Sequence, residues 1–180
     1  DDPAYTGTAW MFDGGDYLTG PTTAMWSNTA GLTVIAVWGI PSGGASTHIC
    51  DQYNSSSKRA WAFGGDTGLK FFVQQNPASS DSNMNVALSL PTAGKTHFLV
   101  GRWSPSVITQ IISGNFADHA EAVTPAASMT DNSVPLNIGR YNQGTAYAEN
   151  GSTLSLLAIY NRYLVDSEIS RAYRYIKSLM

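Results

Sequence analysis

With 43% hydrophobic and 11% aromatic residues, a chain of 180 residues can bury one core unaided, so a single domain spanning residues 1–180 is expected, with no disulfide or structural metal required. Only 13% of residues are charged, and the formal net charge is -3 with Lys and Arg scattered, which excludes the basic stripe that a nucleic acid partner demands. No apolar run approaches the ~20 residues of a membrane helix, so membrane insertion is not expected, and Cys50 as the one cysteine rules out an internal disulfide.

In chain order, short β-type runs alternate with turn residues, the pattern of antiparallel strands in a sandwich or barrel. The runs are Ala9 to Leu18, Leu32 to Ile40, His48 to Tyr53, Arg59 to Phe63, Leu69 to Gln75, Asn85 to Leu88, Thr96 to Trp103, Val107 to Ser113, Leu136 to Ile138 and Thr153 to Tyr160. Successive strand side chains face opposite ways. Leu69, Phe71 and Val73 therefore form one apolar face, whereas Leu32 to Trp38 and Thr153 to Tyr160 are apolar on nearly both faces and read as central strands covered from two sides. Trp38, Trp103, Trp10 and Trp61 fall in such runs and are expected in the core. Turn residues such as Pro41-Ser42-Gly43-Gly44 and Gly64 to Gly68 separate the runs, and Gly14-Gly15 predicts a turn between Asp13 and Asp16. One helix closes the chain: Ile169, Ala172, Tyr173, Ile176 and Met180 recur at helical spacing behind an Asp166 N-cap, with Arg171, Arg174 and Lys177 late in the helix.

Four blocks then carry a resemblance. They are Phe12-Asp13-Gly14-Gly15-Asp16-Tyr17-Leu18, Leu32-Thr33-Val34-Ile35-Ala36-Val37-Trp38, Thr96-His97-Phe98-Leu99-Val100, and Ile159-Tyr160-Asn161-Arg162-Tyr163-Leu164 with Glu168-Ile169 beyond. In this order the chain resembles the laminin-G-like branch of the concanavalin A-like lectin/glucanase superfamily. The resemblance implies an all-β, antiparallel two-sheet jelly-roll sandwich with one short C-terminal helix, a binding role, and often a calcium ion at the rim. Relatives carry acids in the closing strand where this chain has Ser155 and Leu156, so no cofactor is required, and only a weak calcium ion on Asp13 and Asp16 is left open. The family's Ser at the helix cap is Val165 here.

Chemistry of other kinds finds little footing. Glycoside hydrolysis needs two carboxylates across the scissile bond, yet Glu121, Glu149 and Glu168 lie far apart in sequence. His48, His97 and His119 show no zinc-type spacing, with His119 expected in a loop, and no Gly-x-Ser-x-Gly elbow occurs. No catalytic residue is assigned. Sugar recognition instead stacks pyranose faces on rings while amides and carboxylates bond the hydroxyls. The strip with Tyr141, Asn142, Gln143, Tyr147, Glu149 and Asn150 has that chemistry, with its alternative a solvated loop whose Tyr147 packs inward; Trp26 and the Tyr53-Asn54 pair are secondary candidates. The expected partner is a surface glycan or another virion or cell-surface protein, with attachment to a larger oligomeric assembly compatible. A neutral Ser/Thr/Asn-rich surface beside a lone thiol suits an extracellular or virion-surface setting, such as a phage fibre or decoration protein. The alternatives are a purely structural decoration domain and a degenerate glycan-active module.

Overall fold

The structure is a computed structural model describing residues 2–22, 30–44, 47–54, 58–65, 68–74, 83–89, 91–112, 115–122, 129, 134–141 and 146–178. The chain opens with β1 (Ala4–Tyr5), β2 (Trp10–Met11), β3 (Leu18–Thr22) and β4 (Leu32–Ile40). Next come β5 (Cys50–Asn54), β6 (Lys58–Phe63), β7 (Leu69–Gln74), β8 (Asn83–Leu88), β9 (Lys95–Ser104), β10 (Val107–Ile112) and β11 (Asn115–Ala122). It closes with β12 (Pro135–Ile138), β13 (Arg140–Tyr141), β14 (Ala146–Tyr147), β15 (Thr153–Tyr160) and the helix α1 (Asp166–Lys177). Seven strands form one sheet in the order β1-β2-β15-β4-β9-β10-β11, six form a second in the order β3-β12-β5-β6-β7-β8, and β13 pairs with β14 alone. All the pairings are antiparallel, so the all-β sandwich with one short C-terminal helix is observed.

The alternation in β4 explains why it is apolar on both faces. Leu32, Val34, Ala36, Trp38 and Ile40 enter the core between the sheets, together with Phe63, Phe71 and Trp103. Ile35 and Val37 point the other way and pack with Phe98, Val100, Ile169 and Ile176 beneath α1. At Thr33, the polar interruption of this run, the hydroxyl donates to the Arg162 carbonyl at 2.9 Å and accepts the Leu164 N–H at 2.9 Å. Arg102, opposite Thr33 in β9, donates to the Leu164 carbonyl and to Asp166, so the two polar residues tie the segment before the helix to the sheet.

Four local expectations change. The run Ala9 to Leu18 is not one strand: Phe12 turns into the core, the Gly15 N–H donates to Asp13, and the Asp13 N–H donates to Asp16 at 3.2 Å, which separates β2 from β3. Trp38, Trp61 and Trp103 are buried, but Trp10 is 37% exposed because β2 lies near the sheet edge, beside β1. The helix N-cap is Val165 rather than Asp166, whose carboxylate is held by Arg102, while Glu168 reaches back to accept the Val165 N–H at 3.0 Å. His119 lies in β11, not in a loop. Of the helical stripe, Ile169, Ala172, Tyr173 and Ile176 pack against the sheet, and Met180 lies outside the described residues.

Candidate functional site

The outer face of the six-stranded sheet gathers the polar and aromatic groups. In β5, Cys50 and Gln52 face the core, the Gln52 side-chain oxygen accepting the Trp61 indole N–H at 3.2 Å. Asp51 between them must therefore point outward. It stands in register with Asn137 of β12 on one side and Ala62 of β6 on the other. The Asn137 amide donates to the Asp51 carboxylate at 2.7 Å, and its own oxygen accepts two hydrogen bonds from the Arg140 guanidinium, at 3.1 and 2.9 Å. The guanidinium carbon sits 3.6 Å from the centre of the Tyr17 ring, and the Tyr147 ring lies tilted to Tyr17 with centroids 6.3 Å apart. A carboxylate, an amide and a guanidinium thus form one chain ending on an aromatic face. Asp51 is 1% exposed, and leaving its charge without partners there would be costly, which is what the amide and the Tyr53 N–H offset.

Beside this chain runs a ring stack. Tyr141 lies on Tyr53 with centroids 4.9 Å apart and on His48 at 5.6 Å, and Tyr53 meets the edge of Phe72 at 6.0 Å. The chain reaches this position through Gly139, whose φ of +79° suits glycine and whose N–H donates to the Ile49 carbonyl at 2.9 Å. A Cβ there would strike the Phe12 ring, so the position is closed to other residues. From Gly139 the chain lays β13 and β14 against the outer face, locked by the Ala148 N–H to the Gly139 carbonyl at 2.7 Å.

The two strips singled out in the sequence therefore meet through Tyr53 and Tyr141. Tyr147 is half-buried beside Tyr17, Asn150 is exposed, and Glu149 lies half-buried with its carbonyl accepting the Ser152 N–H. Asn54 ends β5 opposite Lys58. Trp26, Asn142 and Gln143 lie outside the described residues. Sequence reasoning missed Asp51, Asn137 and Tyr17 as parts of one constellation; the only local sign was a charged residue at an otherwise strand-like position. His48 joins the ring stack, whereas His97 plays a structural part, its ring nitrogen 2.8 Å from the Thr92 carbonyl. Burial, and then the neighbouring Asp51 charge, pushes the Cys50 thiol well above its usual value, keeping it protonated rather than nucleophilic.

Residues 12–170 match the family model described as the concanavalin A-like lectin/glucanases superfamily. The chain belongs to this superfamily. No protein of curated function matches it in sequence. Among solved structures it is similar to the heptameric SAP-like pentraxin from Limulus polyphemus, at 16% identity and a TM-score of 0.65, covering 91% of this chain and 80% of that one. It is also similar to the Ruminococcus gnavus IT-sialidase CBM40 bound to alpha2,3 sialyllactose, at 11% identity and a TM-score of 0.67, covering 92% of this chain and 96% of that one. Against the Trypanosoma rangeli sialidase the identity is 14% and the TM-score 0.67, and the chain covers 98% of itself but only 29% of the enzyme. At these identities the likeness is one of lectin-like fold.

The calcium ion that members of the superfamily often hold at the rim does not fit the residues present. Ser155 is exposed at a bulge in β15, and Leu156 packs toward the helix. Asp13 and one oxygen of Asp16 already accept backbone N–H groups of their own turn. That leaves one carboxylate oxygen of Asp13 and one of Asp16, the latter buried and without a hydrogen-bond partner, where calcium takes six to eight oxygens. No group of three or more His, Cys, Asp or Glu side chains able to hold a metal occurs among the described residues.

Proposed function

We propose that this chain is a single non-catalytic glycan-binding module that works outside a cell or on a virion surface, with the outer face of the six-stranded sheet and the 141–150 strip as its site. The observation that carries the reading is the stacking of Tyr53 on Tyr141 at 4.9 Å beside the Asp51–Asn137–Arg140 chain. The half-buried rings of Tyr17, Tyr141 and Tyr147 beside the Arg140 guanidinium reach the surface and suit a sugar, whose faces are apolar and whose hydroxyls need directed partners, while the buried Tyr53, Asp51 and Asn137 hold them in place from beneath. Asn142, Gln143 and Asn150 add further amides to the same strip in sequence, and Asn54 and Trp26 stay secondary candidates on residue type alone. The fold likeness to a carbohydrate-binding module bound to sialyllactose supports this reading. The lone Cys50 and the low charge support assembly in a reducing compartment followed by display on a phage particle.

A glycan array followed by titration of the best ligand tests the proposal. Tyr141→Ala should weaken binding by roughly 1 to 3 kcal/mol. Its melting temperature must be measured alongside, since the ring also packs on Tyr53 and His48. Tyr147→Ala separates the two roles, because its ring flanks Tyr17 instead. Unchanged affinity in both variants, with normal folding, would remove the hairpin from the site, and an array without any ligand would leave the structural display role.

A further inference from the structure

The opposite side of the sandwich carries a feature that glycan binding does not use. The helix α1 covers β4 and β9 through Ile169 and Ile176 but leaves part of β15 open. Between β15 and α1 runs a groove of about 460 Å³, floored by Leu156, Ala158, Ala172 and Ile176 and walled by Tyr160 and Tyr175. The two tyrosines are 39% and 67% exposed, so the apolar surface reaches solvent. Such volumes fall in the range of roughly 300 to 1,000 Å³ typical of small-molecule sites.

Charge selects the occupant. At one end of the groove Arg162 grips Glu168 through two hydrogen bonds of 2.9 and 2.7 Å, and Arg171 lines the same end, so two guanidinium groups face one carboxylate. With Arg162 engaged by Glu168, the Arg171 guanidinium is the positive excess at the groove. An extended peptide laid on this floor would bring backbone N–H and C=O groups that Leu156, Ala158, Ala172 and Ile176 cannot satisfy. We infer that the groove between β15 and α1 binds a small anionic amphiphile, with an alkyl or aryl body on Leu156, Ala158 and Ile176 and its carboxylate on Arg171.

The test titrates dodecanoate, below its micelle concentration, into the purified chain by calorimetry, with dodecyltrimethylammonium and dodecanol as probes of the charge. Dodecanoate should bind saturably at one site and raise the melting temperature as mass action requires, while the cationic analogue binds at least about tenfold more weakly. Arg171→Gln should weaken dodecanoate by about tenfold and leave dodecanol unchanged. Tyr175→Ala, at an exposed position that should not disturb folding, should weaken both by about fivefold. Absence of saturable dodecanoate binding to the wild type overturns the inference, as does equal binding of the cationic analogue. Self-association that disappears in Tyr175→Ala would assign the groove to a second copy of the chain and likewise overturn it. Glycan binding should be unaffected by either variant, since it engages the other sheet.

Discussion

The two outer faces of this sandwich are covered in different ways. On the seven-stranded sheet, Ile35, Val37, Phe98 and Val100 meet Ile169 and Ile176 of α1, an apolar contact between elements whose sequences announce their own periodicity. On the six-stranded sheet the cover is the short β13–β14 pair, whose Arg140 guanidinium and Tyr141 ring meet an amide, a carboxylate and the Tyr53 ring of the sheet. Apolar burial is non-directional and tolerates any neighbour of fitting shape. A buried carboxylate needs particular partners at hydrogen-bond distance. The first face is therefore built for stability, and the second holds oriented groups in a way that costs stability if any partner is lost.

Four measurements break or sharpen this contrast. The largest effect is expected from Ile169→Ala, which opens a cavity between helix and sheet and should lower unfolding free energy by about 3 kcal/mol in urea titration. A loss below 1 kcal/mol would mean that α1 is a loosely held appendage. On the other face, Asn137→Ala should cost about 2 kcal/mol by leaving Asp51 and Arg140 without their shared partner. Combining it with Asp51→Ala should cost clearly less than the sum of the two single changes, because both remove the same Asn137–Asp51 hydrogen bond. Strict additivity would show that the polar chain does not act as a unit.

A smaller effect concerns pH. The Arg162 hydrogen bonds, and after them the Val165 N–H, hold the Glu168 carboxyl below its usual range. A carboxyl with a lowered folded-state pKa adds stability above the unfolded-state value, and that contribution disappears as pH falls through the folded-state value. The stability difference between wild type and Glu168→Gln should therefore shrink as the pH is lowered from about 6 to about 3. The difference is expected to be small, because the pair is solvent-exposed, and 0.5 M salt should reduce it further. The last expectation is no change at all: adding a chelator should leave the melting temperature where it is, since the rim between the two faces offers calcium too few free oxygens. A clear drop would give the rim turn a metal-dependent role that neither face explains.

Much of the architecture was legible in the sequence. The alternation in Leu32 to Trp38, the run from Thr96 to Trp103 and the helical spacing of Ile169, Ala172, Tyr173 and Ile176 correspond to elements that form where expected, because hydrophobic periodicity is a local property of the chain. Other strands escaped: β1, β13 and β14 are two residues each, too brief for any alternation to register, and β3 and β11 carry too many small or polar residues to read as strands. Trp10 was misjudged because its neighbours look like a core strand, and only its place near the sheet edge exposes it. Tyr53 and Tyr141 were each singled out by residue type, but their stacking depends on β12 lying beside β5 and on the turn at Gly139. Asp51 and Asn137 stand 86 positions apart and meet for the same reason. The sequence determined which residues form strands and helix and which faces are apolar, since those follow from neighbours a few positions away. Only the tertiary structure decided which polar groups share a face, because that depends on the order of strands in the sheet, and strand order is set by pairing between distant segments.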